Sequence, residues 1–114
     1  MRPSTDTFLG ALFESLVAMS LQVFAAPSSA TVHHLRTHRG EREVDFIVKH
    51  GDGRVVAIEV KLSNVVRDHD VRNLTWLKSV LGDTLLDSIV ISTGSEAYRR
   101  KDGVAVVPLG LLGP

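Results

Sequence analysis

Glu43-Val44-Asp45-Phe46-Ile47-Val48, the turn Gly51-Asp52-Gly53, and Val55-Val56-Ala57-Ile58-Glu59-Val60-Lys61 read together as one β-hairpin. Side chains alternate between the two faces of a strand. Val44, Phe46 and Val48 are therefore expected on one side of the first strand, and Val56, Ile58 and Val60 on one side of the second. These apolar triplets meet only if the turn has three residues. Gly53 then takes the left-handed position of a bulged hairpin, His50 faces Arg54, and Phe46 faces Ile58. A two-residue turn would set Phe46 against Glu59 and break the apolar face.

The same register sets Asp45 opposite Glu59 and Glu43 opposite Lys61, with the Asp45 and Glu59 Cα atoms roughly 4.5 to 5.5 Å apart. Opposed like charges weaken a sheet. Two unit charges ~5 Å apart at an effective dielectric of about 20 repel by roughly 3 kcal/mol at most. A divalent cation with oxygen ligands would offset this, since Mg²⁺ is held by one or two carboxylates and keeps waters or phosphates in the rest of its shell. Lys61 projects from the same face, where its ammonium could orient a metal-bound water or steady a phosphate oxygen. The competing reading makes Glu59 and Lys61 ordinary charges on a wet sheet face, with Glu43 paired to Lys61. Val55, Ala57 and Ile47 share the carboxylates' face and give it a partly covered character, and burying unpaired ions is expensive.

The chain has 114 residues, 44% of them hydrophobic, which fits one domain with its own core. Lys plus Arg balance Asp plus Glu at 13 each, so there is no bulk positive field of the kind a general nucleic-acid binder carries. The absence of cysteine rules out disulfides and thiolate metal sites and suits a reducing cytoplasm. The apolar region over residues 8–26 is interrupted by Gly10, Glu14, Ser15, Ser20 and Gln22. It matches neither a membrane span nor a secretion signal.

Along the chain, Ser4 or Thr5 can cap a helix reaching about residue 24, with Leu9, Leu12, Phe13, Leu16, Val17, Ser20 and Phe24 as its stripe. A strand is expected over residues 30–38, a turn at 39–42, then the hairpin. A second helix is expected over about 68–81, burying Val71, Leu74, Leu77 and Leu81 and stopped by Gly82. Strands over 87–92 and 104–107 follow, separated by a basic loop at Arg99-Arg100-Lys101 read as solvated charge. Three meandering strands followed by a helical crossover imply a mixed sheet, with helices on both faces.

That order, with Asp45 on one strand and Glu59-x-Lys61 on the next, resembles the PD-(D/E)XK or restriction-endonuclease-like superfamily. Gly10-Ala11-Leu12-Phe13-Glu14, Leu35-Arg36-Thr37, Glu43-Val44-Asp45-Phe46 and Ile58-Glu59-Val60-Lys61-Leu62-Ser63 resemble the C-terminal domain of unknown function carried by many prokaryotic AAA-type ATPases. The resemblance covers nearly the whole chain. It implies an α/β fold with an αβββαβ core, residues 1–114 forming a single nuclease-like domain, and an AAA-type ATPase as partner in a parent chain. No G-x-x-x-x-G-K-[ST] phosphate loop occurs in this sequence, so the domain is expected to be part of a larger ATPase or a stand-alone remnant.

The resemblance also implies a site. Asp45 and Glu59 become metal ligands for Mg²⁺ or Mn²⁺, helped by Glu14 and the Val60 carbonyl, and Lys61 becomes the catalytic lysine. The proline that names the superfamily's first motif is replaced by Val44. Arg36, Arg42, Ser63 and Arg67 are the expected DNA contacts, with Arg39 and Arg72 nearby. The activity implied is metal-dependent phosphodiester hydrolysis of DNA. The alternative is a catalytically inactive interaction module of an AAA-type ATPase.

His33, His34 and His38 cluster on the expected first strand, but His34 and His38 stand too far apart along it for one zinc ion. They are read as surface residues. Trp76 falls beside the main stripe of the second helix and is expected to be half-buried, available for partner packing or base stacking.

Overall fold

A computed structural model describes residues 30–112, without the side chains of His38 and Leu112. The helix expected over residues 4–24, and Glu14 with it, lies outside the described residues. The strands are β1 (Ala30–Arg36), β2 (Glu43–His50), β3 (Val55–Lys61), β4 (Leu85–Ser92), β5 (Tyr98–Arg99) and β6 (Ala105–Pro108); one helix, α1 (Arg72–Leu81), stands between β3 and β4. They form one mixed sheet of order β1-β2-β3-β4-β6-β5. β1, β2 and β3 pair antiparallel, and β4 runs parallel to both β3 and β6. The crossover through α1 is what makes β3 and β4 parallel, as the element order requires.

The hairpin has the expected register. Phe46 faces Ile58 and Val48 faces Val56. The His50 N–H donates to the Arg54 carbonyl at 2.8 Å, and Gly53 has φ 92. Asp52 closes the turn by accepting from the Arg54 backbone N–H at 3.0 Å, the local side-chain bond that favours Asp in turns.

One register effect departs from strict alternation. Along β1 and β2 the pairing runs from Ala30↔His50 to His33↔Ile47, then resumes at Leu35↔Val44. Two β2 residues, Asp45 and Phe46, thus stand opposite the single residue His34. This β-bulge re-aims the side chains on its N-terminal side. Val44 consequently leaves the Phe46 and Val48 face. It is fully buried with Ala57, Val90, Leu74 and Leu77 beneath α1, where Ile47 and Trp76 also pack. The other face gathers Val48, Val56, Ile58, Ile89 and Ile91, flanked by Phe46 and Val60. The expected Val44, Phe46, Val48 triplet is therefore corrected to a pair.

Other boundaries shift for local reasons. β1 ends at Arg36, and a 3-10 turn at His38–Gly40 follows in which Arg39 has φ 74, so His38 is not a strand residue. The first turn of the second helix, Asp68–Val71, is 3-10, and α1 proper begins at Arg72. Val71, Leu74 and Leu77 are buried as the periodicity requires, Leu81 packs against them, and Gly82 ends the helix with φ 56. β5 was not expected from sequence. It pairs with β6, and the arginines there are engaged: Arg99, though 56% exposed, binds Asp87 at 2.8 Å, while Arg100, 12% exposed rather than solvated, donates to the Val66 carbonyl at 2.9 Å and pairs with Asp68 and Asp102.

Trp76 is half-buried, with the Arg42 guanidinium 5.5 Å from its ring centroid. Arg42→Ala should cost about 0.5 to 1 kcal/mol in urea unfolding, the usual range for a partly exposed cation–π contact. Because Trp76 is the sole tryptophan in the sequence, the same substitution should visibly shift intrinsic fluorescence. An unchanged emission spectrum would show that the contact does not persist in solution.

Candidate functional site

The open end of the hairpin borders a cavity of about 220 Å³ lined by Glu43, Asp45, Glu59, Val60, Lys61, Asp70, Arg72 and Asn73. Three regions supply these groups: the start of β2, the end of β3, and the 3-10 turn before α1 together with the helix's first residues. A cavity of about 280 Å³ lies elsewhere, between α1, β4 and the turn that joins β5 to β6, lined by Leu74, Lys78, Asp87, Arg99 and Asp102 among others. The smaller one holds the carboxylates, and on chemical grounds it is the candidate site.

Ladder pairing between β2 and β3 ends at Phe46↔Ile58; Asp45 and Glu59 come next in register, beyond the paired stretch. The bulge lets Asp45 turn its carboxylate along β3, where Oδ2 accepts the Val60 N–H at 2.9 Å. On the other side, His34 Nδ1 lies 3.2 Å from the Asp45 carbonyl oxygen and its Nε2 lies 3.2 Å from Glu43 Oε1. A carbonyl only accepts, so in this contact Nδ1 is the donor. Asp45 is thus fixed through its backbone and its side chain.

Glu59 is half-buried, and its carboxyl is pushed up to about 7, first by burial, then by the nearby Asp45 charge, with Arg72 acting in the opposite direction. The repulsion expected from the hairpin register is therefore present in the electrostatics of the site. A carboxylic acid poised near neutrality in a cleft marks a candidate functional group.

The expected facing of Glu43 and Lys61 does not become an ion pair. Glu43 meets His34 and, at 3.6 Å, Arg36; Lys61 Nζ donates to Asp70 Oδ1 at 3.1 Å. The bulge turns Glu43 toward β1, leaving Lys61 to the acid that precedes α1. Asp70 is held below the ordinary carboxylate range, first by the Arg67 N–H and next by Lys61.

The expected DNA contacts lie apart from the cavity lining. Arg36 pairs with Glu43, and Arg42 stacks on Trp76 and reaches Asn73 Oδ1 at 3.4 Å. Ser63 Oγ accepts the Val65 N–H, and Arg67 is exposed. Arg72 does line the cavity. Asp70 and Asn73 also line it, although neither is a site residue expected from the sequence. Asn73 Nδ2 donates to the Glu43 carbonyl at 3.0 Å, tying α1 to the start of β2. The Asp68-x-Asp70 spacing before the helix was the available signal.

Asp45 and Glu59 both line the cavity and carry oxygens of the type Mg²⁺ or Mn²⁺ takes, and a cation there would relieve the burden on Glu59. Among the described residues, no three His, Cys, Asp or Glu side chains converge closely enough to hold a metal ion by themselves. Of the clustered histidines whose side chains are described, His33 bonds Thr31 Oγ1 at 2.8 Å, and His34 is held by Glu43 and Asp45.

No helix among the described residues is long and apolar enough to cross a membrane. Searches of curated proteins and of solved structures gave no match. One family model matches, over residues 9–112, and so takes in both strands of the hairpin, α1 and the cavity between them. By that match the chain belongs to the family described as "Domain of unknown function (DUF4143)".

Proposed function

We propose that this domain carries a PD-(D/E)XK-type site for metal-dependent phosphodiester hydrolysis of DNA, built on a restriction-endonuclease-like core. The observation that carries the reading is the convergence of Asp45, Glu59 and Lys61 on one cavity, with Glu59 destabilised as an anion by burial and by Asp45. Asp45 and Glu59 would hold Mg²⁺ or Mn²⁺, with Glu14 assisting. When bound, the cation would supply Lewis acidity and lower the pKa of the attacking water. Lys61 would donate to a phosphate oxygen or to that water, and Arg72 at the rim would steady the phosphate. Arg36, Arg42, Ser63 and Arg67 would meet the DNA backbone further out.

A cytoplasmic setting fits the cysteine-free composition. The resemblance makes an AAA-type ATPase the partner in a parent chain. A second reading, an inactive nuclease-like interaction module of such an ATPase, is favoured by one observation: the Lys61 ammonium is already engaged by Asp70.

Cleavage assays decide between them. Incubated with Mn²⁺, the purified domain is expected to nick or degrade DNA, and a chelator should stop it. Supercoiled plasmid, single strands and branched duplexes should all be offered. Calorimetric Mn²⁺ binding with no cleavage of any of them would favour the interaction module. Neither binding nor cleavage would leave the acids as solvated sheet charges.

A further inference from the structure

We infer that Asp70 is the positioning residue for Lys61, holding its ammonium at the cavity rim. This rests on the phosphodiesterase reading of the cavity and concerns a residue outside the hairpin that carries the acids.

Asp70 is fixed without help from Lys61. Its backbone N–H donates to the Arg67 carbonyl at 2.9 Å, and its Oδ2 accepts the Arg67 N–H at 2.9 Å. These reciprocal bonds close the 3-10 turn that leads into α1 and leave Oδ1 aimed at Lys61 Nζ, 3.1 Å away. The exposure of the two side chains shows which one anchors the other: Asp70 is 15% exposed and Lys61 44%. A lysine at a strand terminus carries four rotatable bonds, and on its own it would sample many positions.

With one N–H on Asp70, the ammonium keeps two further donors. Asp45 and Glu59 line the same cavity, so these donors are available to an oxygen held beside the carboxylates. The remaining charged groups around the cavity are Glu43, already paired with His34 and Arg36, and Arg72, bound to the His69 carbonyl at 2.9 Å. The ion pair that reaches Lys61 comes from Asp70, which therefore sets its place.

Ammonium-detected ¹⁵N NMR on the whole chain tests the contact without reference to activity. The Lys61 Nζ resonance should be resolved in the wild type because the ion pair slows proton exchange. It should vanish in Asp70→Asn, while the backbone amide spectrum shows the fold intact. An Asp70→Glu variant should restore it. A Lys61 signal unchanged in Asp70→Asn would overturn the inference.

The kinetic arm measures Mn²⁺-dependent cleavage. Asp70→Asn should lower kcat by about 100-fold, the loss that follows from an ångström of misplacement, with KM nearly unchanged and partial recovery in Asp70→Glu. A merely structural Asp70 would lower thermal stability without splitting kcat from KM. Asp70→Asn cleaving as fast as wild type would also overturn the inference. If wild type does not cleave, the phosphodiesterase reading fails, and the NMR arm still decides whether Asp70 places Lys61.

Discussion

Glu59→Gln is expected to stabilise the protein at pH 8.5 in a chelating buffer, by on the order of 1 to 2 kcal/mol, and to make no difference near pH 4. The carboxyl is raised from its ordinary 4.5 to about 7 in the folded state. Below 4.5 it is protonated in folded and unfolded chains alike. Between 4.5 and 7 the folded state binds more proton than the unfolded state, so wild-type stability falls as pH rises through this window. Above 7 the penalty is complete. Taken at face value the shift amounts to ~3 kcal/mol. Glu59 keeps some contact with solvent, and screening reduces that figure.

Glutamine removes the charge while keeping the shape. The difference between the two proteins should therefore open between pH 4.5 and 7 in denaturation series, since contributions from other acids, Asp70 included, cancel. Mn²⁺ near neutral pH should raise the wild-type Tm by mass action and do little for Glu59→Gln. Clear destabilisation of Glu59→Gln at pH 8.5, with no Mn²⁺ effect on wild type, would show that the acid has a stabilising cation partner. The paired carboxylates would then be scaffolding, and the nuclease reading would fall.

Lys61→Ala should reduce Mn²⁺-dependent DNA cleavage by about 100-fold or more, as loss of one donor aimed at developing charge typically does. Metal affinity, measured calorimetrically, should stay close to wild type because Lys61 contributes no ligand. The fold should tolerate the change. Lys61 is 44% exposed and its ion pair lies at the rim, so the stability loss should remain below ~1 kcal/mol. Wild-type cleavage rates in Lys61→Ala would remove the lysine from the chemistry, while a large loss of Mn²⁺ binding would mean that it organises the carboxylates instead.

The hairpin was legible because its information is local. Apolar residues at period two, Phe46 and Val48 on one strand and Val56 and Ile58 on the other, with a Gly-Asp-Gly turn leave one register that buries both strands, and the structure has it, Phe46 against Ile58. The mixed sheet followed from element order, since a helical crossover returns a strand in the same direction, and β3 and β4 run parallel. The apolar face of α1 followed from its spacing, with Val71, Leu74 and Leu77 buried.

The bulge opposite His34 was not legible, because an extra residue in a ladder is defined by the partner strand and leaves no local pattern. That one residue sends Val44 under α1 and turns Glu43 toward His34. The partner of Lys61 was hidden for a similar reason: Asp70 is nine residues away, and only the closure of the 3-10 turn against the end of β3 brings them to 3.1 Å. The engagement of Arg99 and Arg100 likewise depends on Asp87, Asp68 and the Val66 carbonyl, all distant in sequence. The sequence by itself determined the hairpin register, since periodicity and turn chemistry act over a few residues. Tertiary structure alone decided which cation each acid meets, because an ion pair depends on a distance of a few ångströms between segments that the chain's local pattern does not relate.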